Sequence, residues 1–350
     1  MCGIAGYFHL DGQSKPEYEL IGRMVNALRH RGPDEFGAYF DDRCALGQAR
    51  LSIIDLAGGS QPLSNEDRSI WVSYNGEIYN YIELRSELEK AGHQFRTNSD
   101  TEVIVHAYEE YGADCMSHFN GQFAFALYDS KQKRLLISRD RLGIRPLFYT
   151  IHDGRIYFAS EIKSLFCNRS IPRRLDLCGL DETFTWWTSA APKTLFEGIN
   201  ELEAGCFIEV VEGELRHGRY WDMAFPEEFD YKRPVRSYAE ELRALLTDSV
   251  RLRLRSDVPV GAYLSGGLDS AVTTGLVREH DQQQLETFSV TFDDKAFDES
   301  GYQRQMADHL GTNHHMVSAS YARIAEVFPD VVYHAERPLV RTAPAPLFLL

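Results

Sequence analysis

Over the first 165 residues, hydrophobic and polar positions alternate in short runs. Apolar-rich composition in short runs marks strand candidates. It predicts them at 4–10, 37–40, 45–54, 70–74, 122–128, 134–138 and 155–159. A period near 3.6 predicts helices at 17–30, 82–91 and 101–110. Asn80 and Asp100 are placed to cap the second and third of these. Short turns between alternating strands imply antiparallel sheets covered by helices. The pattern weakens from about 166 to 236, where the run Phe184-Thr185-Trp186-Trp187 is expected to serve core packing and a hairpin is expected to turn at Gly213. From 237 onward, helix and strand alternate. Helices are predicted at 238–255, 268–280 and 302–310, and strands at 258–264, 288–292 and 315–317. The unbroken apolar run 258–264 reads as a parallel strand buried on both faces, and the alternation as a doubly wound α/β domain. About three parallel strands precede Leu350, and the final apolar run 346–350 has no polar tail. The chain is therefore expected to be the first part of a longer protein.

Composition narrows the setting. A chain of 350 residues can bury two separate cores. No stretch approaches the ~18 apolar residues of a spanning helix, and no secretory leader opens the chain, so no membrane partner is expected. The six cysteines are scattered without a C-x-x-C pair, which fits a reducing cytoplasm rather than a disulfide framework or a zinc site. A formal charge of −15 argues against nucleic acid.

Two short segments carry candidate chemistry. The chain opens Met1-Cys2-Gly3-Ile4, and removal of Met1 would leave a thiol and a free α-amine on one residue. That amine, with an ordinary pKa of ~8, can take the thiol proton near neutral pH. The bland alternative is a cysteine buried in a first strand. The second segment is Ser265-Gly266-Gly267-Leu268-Asp269-Ser270, directly after an apolar strand and opening a helix. Its glycines admit close backbone approach, and the helix N-terminus offers donors to an anion. It lacks the Walker lysine, so it suits pyrophosphate as a leaving group better than γ-phosphate transfer.

Further blocks complete a pattern: His30-Arg31-Gly32-Pro33-Asp34, Arg50-Leu51-Ser52-Ile53-Ile54-Asp55, Tyr74-Asn75-Gly76-Glu77-Ile78-Tyr79-Asn80, Ser99-Asp100-Thr101-Glu102, and Arg139-Asp140-Arg141-Leu142-Gly143 with Pro146-Leu147. In this order the chain resembles the glutamine-hydrolysing asparagine synthetases over its whole length. It departs at Leu202-Glu203-Ala204-Gly205-Cys206, where such proteins usually carry prolines. The resemblance implies an α+β N-terminal nucleophile (Ntn) hydrolase-like sandwich of antiparallel sheets with helices, a class II glutamine amidotransferase domain, over 1–165. An irregular linker with a hairpin follows over 166–236. The N-terminal part of a doubly wound α/β ATP-pyrophosphatase domain, truncated here, occupies 237–350.

The same resemblance implies roles. Cys2 attacks the side-chain amide of glutamine. The Asn75 side chain and the Gly76 backbone N–H form the oxyanion hole, although Asn-Gly is most often a type I′ turn. Arg50 grips the substrate carboxylate, Asp100 and Glu77 face its ammonium, and the Ile53 backbone lines the pocket. His30 to Asp34 supplies shape rather than chemistry. Leu264 and Val290 contact the nucleotide, while Ser265, Gly266, Gly267, Asp269 and Ser270 hold its phosphates, with Asp269 on Mg2+. His9, His314 and His315 have no partner spacing, and no metal is expected there. ATP and Mg2+ are the implied cofactors, and glutamine and aspartate the substrates; a homodimer is compatible with all of this. Ammonia released at Cys2 must cross a dry path to an acyl-adenylate. A different carboxylate acceptor keeps the same mechanism. A stand-alone glutaminase or an amidophosphoribosyltransferase would not need the loop at 265–270. A non-enzymatic glutamine sensor would not need Cys2.

Overall fold

A computed structural model describes residues 1–12, 14–228, 231–280 and 284–350. The chain divides into two compact units, Met1–Ala224 and Phe225–Leu350.

The first unit is a four-layer sandwich. One sheet runs in the order β10 (Asn200–Glu201), β8 (Phe148–His152), β9 (Arg155–Ala159), β1 (Gly3–His9), β3 (Cys44–Arg50), β2 (Glu35–Phe40). The other runs β12 (Glu214–Arg219), β11 (Cys206–Val211), β7 (Arg134–Arg139), β6 (Gly121–Asp129), β5 (Ile70–Ile78), β4 (Leu63–Ser64). All neighbours within both sheets are antiparallel. Alternation along β1 explains the layering. Ile4 and Phe8 enter the core between the sheets with Ala124, Tyr128 and Ile137. Ala5 and Tyr7 point the other way, onto Ile21 and Met24 of α1 (Tyr18–Asn26). On the outer face of the second sheet, Val72, Tyr74 and Ile78 pack against Leu84 and Leu88 of α2 (Tyr81–Ala91) and Val103 of α3 (Asp100–Tyr111).

The departures from expectation have local causes. β3 ends at Arg50 instead of running to 54, because the Arg50 guanidinium turns back onto the carbonyls of Ile54 and Asp55. β5 runs on to Ile78 because β6 pairs with it throughout, placing Asn75 opposite Ala124 and Gly76 opposite Phe123. Asn75-Gly76 is therefore strand interior and not a hairpin turn. Ser99, not Asp100, caps α3, its side chain accepting from the Thr101 amide. Asn80 makes no cap bond to α2; its side chain instead bridges His118 and Asn120. The expected hairpin after Cys206 is β11–β12, and β11 pairs with β7, so this stretch extends the second sheet. α4 (Ile162–Leu165) follows β9, and α5 (Leu177–Trp186) leaves Trp186 74% and Trp187 57% exposed, so neither serves core packing.

The second unit holds three parallel strands in the order β13 (Gly261–Tyr263), β14 (Glu286–Thr291), β15 (Asn313–Ser318). Helices alternate with them: α6 (Val235–Arg253), α7 (Leu268–His280), α8 (Ser300–Leu310), α9 (Tyr321–Ala335) and α10 (Pro344–Leu349). The apolar run 258–264 does not form a strand buried on both faces. Only three of its residues pair, and Tyr263 is 68% exposed. Among the described residues, β13 has β14 on one edge and no strand on the other. No described helix is long and apolar enough to cross a membrane.

Candidate functional site

Cys2 sits at the head of β1, where the strand ladder brings β3 alongside. The Leu51 amide donates to its Sγ at 3.4 Å, and the thiol approaches the Leu51 carbonyl at 3.5 Å. Arg31 Nε donates to the Cys2 carbonyl at 2.9 Å, and Arg31 Nη1 to Glu161 at 2.9 Å. Glu161 also takes His30 at 3.0 Å and pairs with Lys163. The turn at 30–34 therefore does more than shape the chain: Arg31 holds the Cys2 carbonyl in place. Gly32 is needed there because a Cβ would lie 2.2 Å from the Ala49 carbonyl.

Asn75 and Glu77 share the parity of Trp71, whose ring packs in the core between the sheets. Asn75 is fully buried, yet neither its Oδ1 nor its Nδ2 has a hydrogen-bond partner among the described residues. Leaving a buried polar group unpaired costs about 1–3 kcal/mol. Gln48 Oε1 and Ser73 Oγ nearby are likewise without a partner among the described residues, while Asp100 and Tyr74 are bonded to one another. Asp100 Oδ2 accepts from the Tyr74 hydroxyl at 2.7 Å and the Ile78 amide at 3.0 Å. Gln61 and Gln48 bind the two sides of the Tyr74 peptide at 2.8 and 2.9 Å. Gly76 lies flat in the ladder, where a Cβ would meet the Gln122 carbonyl at 2.2 Å.

Burial sets the electrostatics. It pushes the Cys2 thiol up and the α-amine of Met1 down. Burial and then the charge of Asp100 push Glu77 up to about 8, against the pull of Arg145. Burial likewise raises Asp100, against the bonds from Ile78 and Tyr74. Two carboxylates share one low-dielectric place, so both cannot ionise cheaply. A cation between them would relieve both.

Arg50 is buried, with Nη1 on Glu35 at 2.9 Å and Nη2 on the carbonyls of Ile54 at 3.1 Å and Asp55 at 2.7 Å. Ile53, half-buried, lies in the bend this creates. Arg145 was not singled out by sequence, but its charge acts on Glu77, Tyr74 and the Met1 amine. Its backbone is placed by Asp140, whose carboxylate accepts from the amides of Phe123, Leu142, Ile144 and Arg145. The signal in the sequence was an arginine directly before Pro146-Leu147.

In the second unit, the loop after β13 closes on itself. Ser265 Oγ and Ser270 Oγ are 2.8 Å apart, and the Gly267 amide donates to Ser265 Oγ at 3.2 Å. The Gly266 amide donates to the Glu299 carboxylate at 3.0 Å, so a carboxylate already lies on the amide expected to bind phosphate. A Cβ at Gly266 would come within 2.6 Å of Glu299. Leu264, Ser265 and Val290 line a cavity of about 630 Å³ together with Phe292 and Glu299. Asp269 and Ser270 line a separate hollow against α6. The anion-binding loop beside a largely apolar cavity fits a nucleotide. Asp269 lies exposed in the first turn of α7.

Residues 1–221 match the Glutamine amidotransferase domain family, and residues 241–350 the Asparagine synthase family. The chain is similar to the glutamine-hydrolyzing asparagine synthetase 1 of Bacillus subtilis (strain 168), 37% identical over 357 residues, covering 100% of this chain and 55% of that protein. It is 35% identical over 373 residues to the glutamine-hydrolyzing asparagine synthetase B of Escherichia coli (strain K12), covering 100% and 60%. It is 34% identical over 370 residues to a protein named Amidase chry2 of Gibberella zeae, covering 97% and 54%. The chain thus spans about half the length of the curated relatives it matches. The chain therefore belongs to the glutamine amidotransferase domain family, whose match covers residues 1–221, and an asparagine synthase match follows over residues 241–350.

Proposed function

We propose that this protein is an ATP-dependent, glutamine-hydrolysing asparagine synthetase. The observation that carries the glutaminase half is Asn75, an amide buried without a partner in the unit whose first strand directly follows Cys2. After Met1 removal, the Cys2 amine takes the thiol proton and Sγ attacks the glutamine amide carbon. Asn75 Nδ2 and the Gly76 amide receive the developing oxyanion. The tetrahedral species collapses to a thioester and expels ammonia; water then releases glutamate and the free thiol. Arg50 holds the glutamine carboxylate, sharing or displacing Glu35. Asp100 and Glu77 take the ammonium, and the Ile53 backbone lines the pocket.

In the synthetase half, Leu264 and Val290 border the nucleotide and Ser265, Gly266, Gly267 and Ser270 bind its phosphates, displacing Glu299 from the Gly266 amide. Asp269 would hold Mg2+, which neutralises the pyrophosphate that leaves. The aspartate carboxylate attacks the α-phosphorus of ATP, pyrophosphate departs, and ammonia displaces AMP from the acyl group. Asp269→Asn is expected to lower magnesium-dependent pyrophosphate release by roughly 100-fold while glutamine hydrolysis persists. Unchanged pyrophosphate release with normal magnesium dependence would refute the assignment.

The two raised carboxyls predict a pH dependence. Below about 8, Glu77 holds a proton that it must lose to pair with the substrate ammonium. The KM for glutamine should therefore fall about fivefold between pH 7 and pH 8. Glu77→Gln should flatten that profile. Initial rates of glutamate formation across pH test this, because KM separates the effect from ionisation of Cys2.

A second reading changes only the acceptor, a different small carboxylic acid in place of aspartate. It is favoured by the amidase relative, which matches this chain almost as well as the synthetases do. Full-length protein with glutamine, ATP and magnesium decides between them. Asparagine and pyrophosphate formed in equal amounts from aspartate supports the first. Pyrophosphate release only with another acid supports the second.

A further inference from the structure

Away from Cys2, α3 carries Glu102, His106 and Glu109, spaced so that all three fall on one face. His106 is fully buried, with the Phe95 ring 4.4 Å from its own. Three elements meet at this point. Glu66 lies just after β4, His93 follows α2, and Glu109 comes from the last turns of α3.

The inner donor atoms converge. Glu66, His93 and His106 each place one ligand atom within 4.8 Å of the other two. Nδ1 of His106 is 3.9 Å from Glu66 Oε2 and 3.0 Å from Glu109 Oε2. Nδ1 of His93 is 3.6 Å from the same Glu109 oxygen. The outer carboxylate oxygens are held from behind, and the outer imidazole nitrogens face carboxylates. Glu66 Oε1 accepts from the Gln94 amide at 3.0 Å, and Glu109 Oε1 from Asn65 Nδ2 at 2.8 Å. Nε2 of His106 faces Glu102 Oε1 at 3.6 Å, and Nε2 of His93 faces Glu110 Oε2 at 3.4 Å. Glu102 is itself anchored by the amides of Arg96 and Thr97 and by the Thr97 hydroxyl. Imidazoles backed by carboxylates, with carboxylates backed by amides, are how proteins orient the ligands of a metal ion.

We propose that Glu66, His93 and His106 bind one zinc ion, with Glu109 placed as the fourth donor. Two imidazoles with two carboxylates suit zinc in a tetrahedral set, whose donors stand about 3.3 Å apart. Glu66, 37% exposed at its side chain, can swing inward to reach that spacing. Charge balance points the same way. Four carboxylates surround two imidazoles, and one divalent cation would offset part of that negative charge. The ion would tie α3 to the segment after β4 and to the stretch after α2. Because α3 begins at Asp100, the role is to clamp an element of the glutamine pocket rather than to take part in its chemistry.

The test uses the full chain, stripped with a chelator and titrated with zinc. One zinc per chain by elemental analysis, and a rise in Tm on the order of 5 °C, are expected. Cobalt in place of zinc should give visible bands of a tetrahedral N/O site with no near-ultraviolet thiolate band, which separates this site from binding at cysteine. His93→Gln should abolish most of the metal-dependent shift. Glu66→Gln, at a more exposed position, should weaken it while leaving the metal-free Tm nearly unchanged. No stoichiometric zinc, a thiolate band, or a shift retained in both variants would overturn the proposal and leave a cluster of ion pairs.

Discussion

Replacing Cys2 by alanine is expected to remove glutamine-dependent turnover, by about 10⁴-fold or more, and to leave ammonia-dependent synthesis intact in the full-length protein. In the proposed mechanism the thiol is the attacking atom, and among the six cysteines Cys2 alone would carry a free α-amine once Met1 is removed. The loop at 265–270 belongs to the other unit, with its own fold. Ammonia supplied in solution bypasses the step that Cys2 performs. Steady-state rates with glutamine and with ammonium salts, on the same folded variant, measure the separation. Loss of both activities would mean that Cys2 supports structure. Mass spectrometry of active protein adds a second check, since retained Met1 would exclude the amine as base.

Asn75→Ala is expected to lower kcat for glutamine hydrolysis by about 10²–10³-fold, equivalent to ~3–4 kcal/mol, with a smaller change in KM. The oxyanion exists only in the transition state, so its donor is felt in kcat. Stability supplies the distinguishing observation. An asparagine that held the fold together would be missed when removed. This one has no partner for either amide atom, so its loss should leave Tm unchanged or raise it. Thermal melting beside single-turnover kinetics reads both quantities. A large drop in Tm would assign Asn75 to structure instead.

Much of the fold follows from local pattern. The apolar run along β1, buried at every position, and the helical period of α2 need no tertiary information to be read as elements. Motif chemistry is local too. A second-position cysteine and a glycine loop between strand and helix can be recognised wherever they stand. Boundaries fared less well where a long-range contact decides them. The Arg50 side chain ends β3, and partner strand β6 extends β5 through Asn75-Gly76, which local statistics read as a turn.

What the sequence by itself determined is therefore the two-part architecture, a candidate nucleophile and the kinds of groups expected to serve it. Only the tertiary structure decided how those groups are placed. Antiparallel pairing along β5 and β6 holds Asn75 in a buried strand and leaves its amide unpaired. The Arg31 link to Cys2 joins residues 29 positions apart. The juxtaposition of Glu66, His93 and His106 has no local signature, since nothing near any one of them implies the other two. Periodicity fixes direction along one element, whereas a polar site depends on distances between elements, and those arise only when the sheets and helices pack.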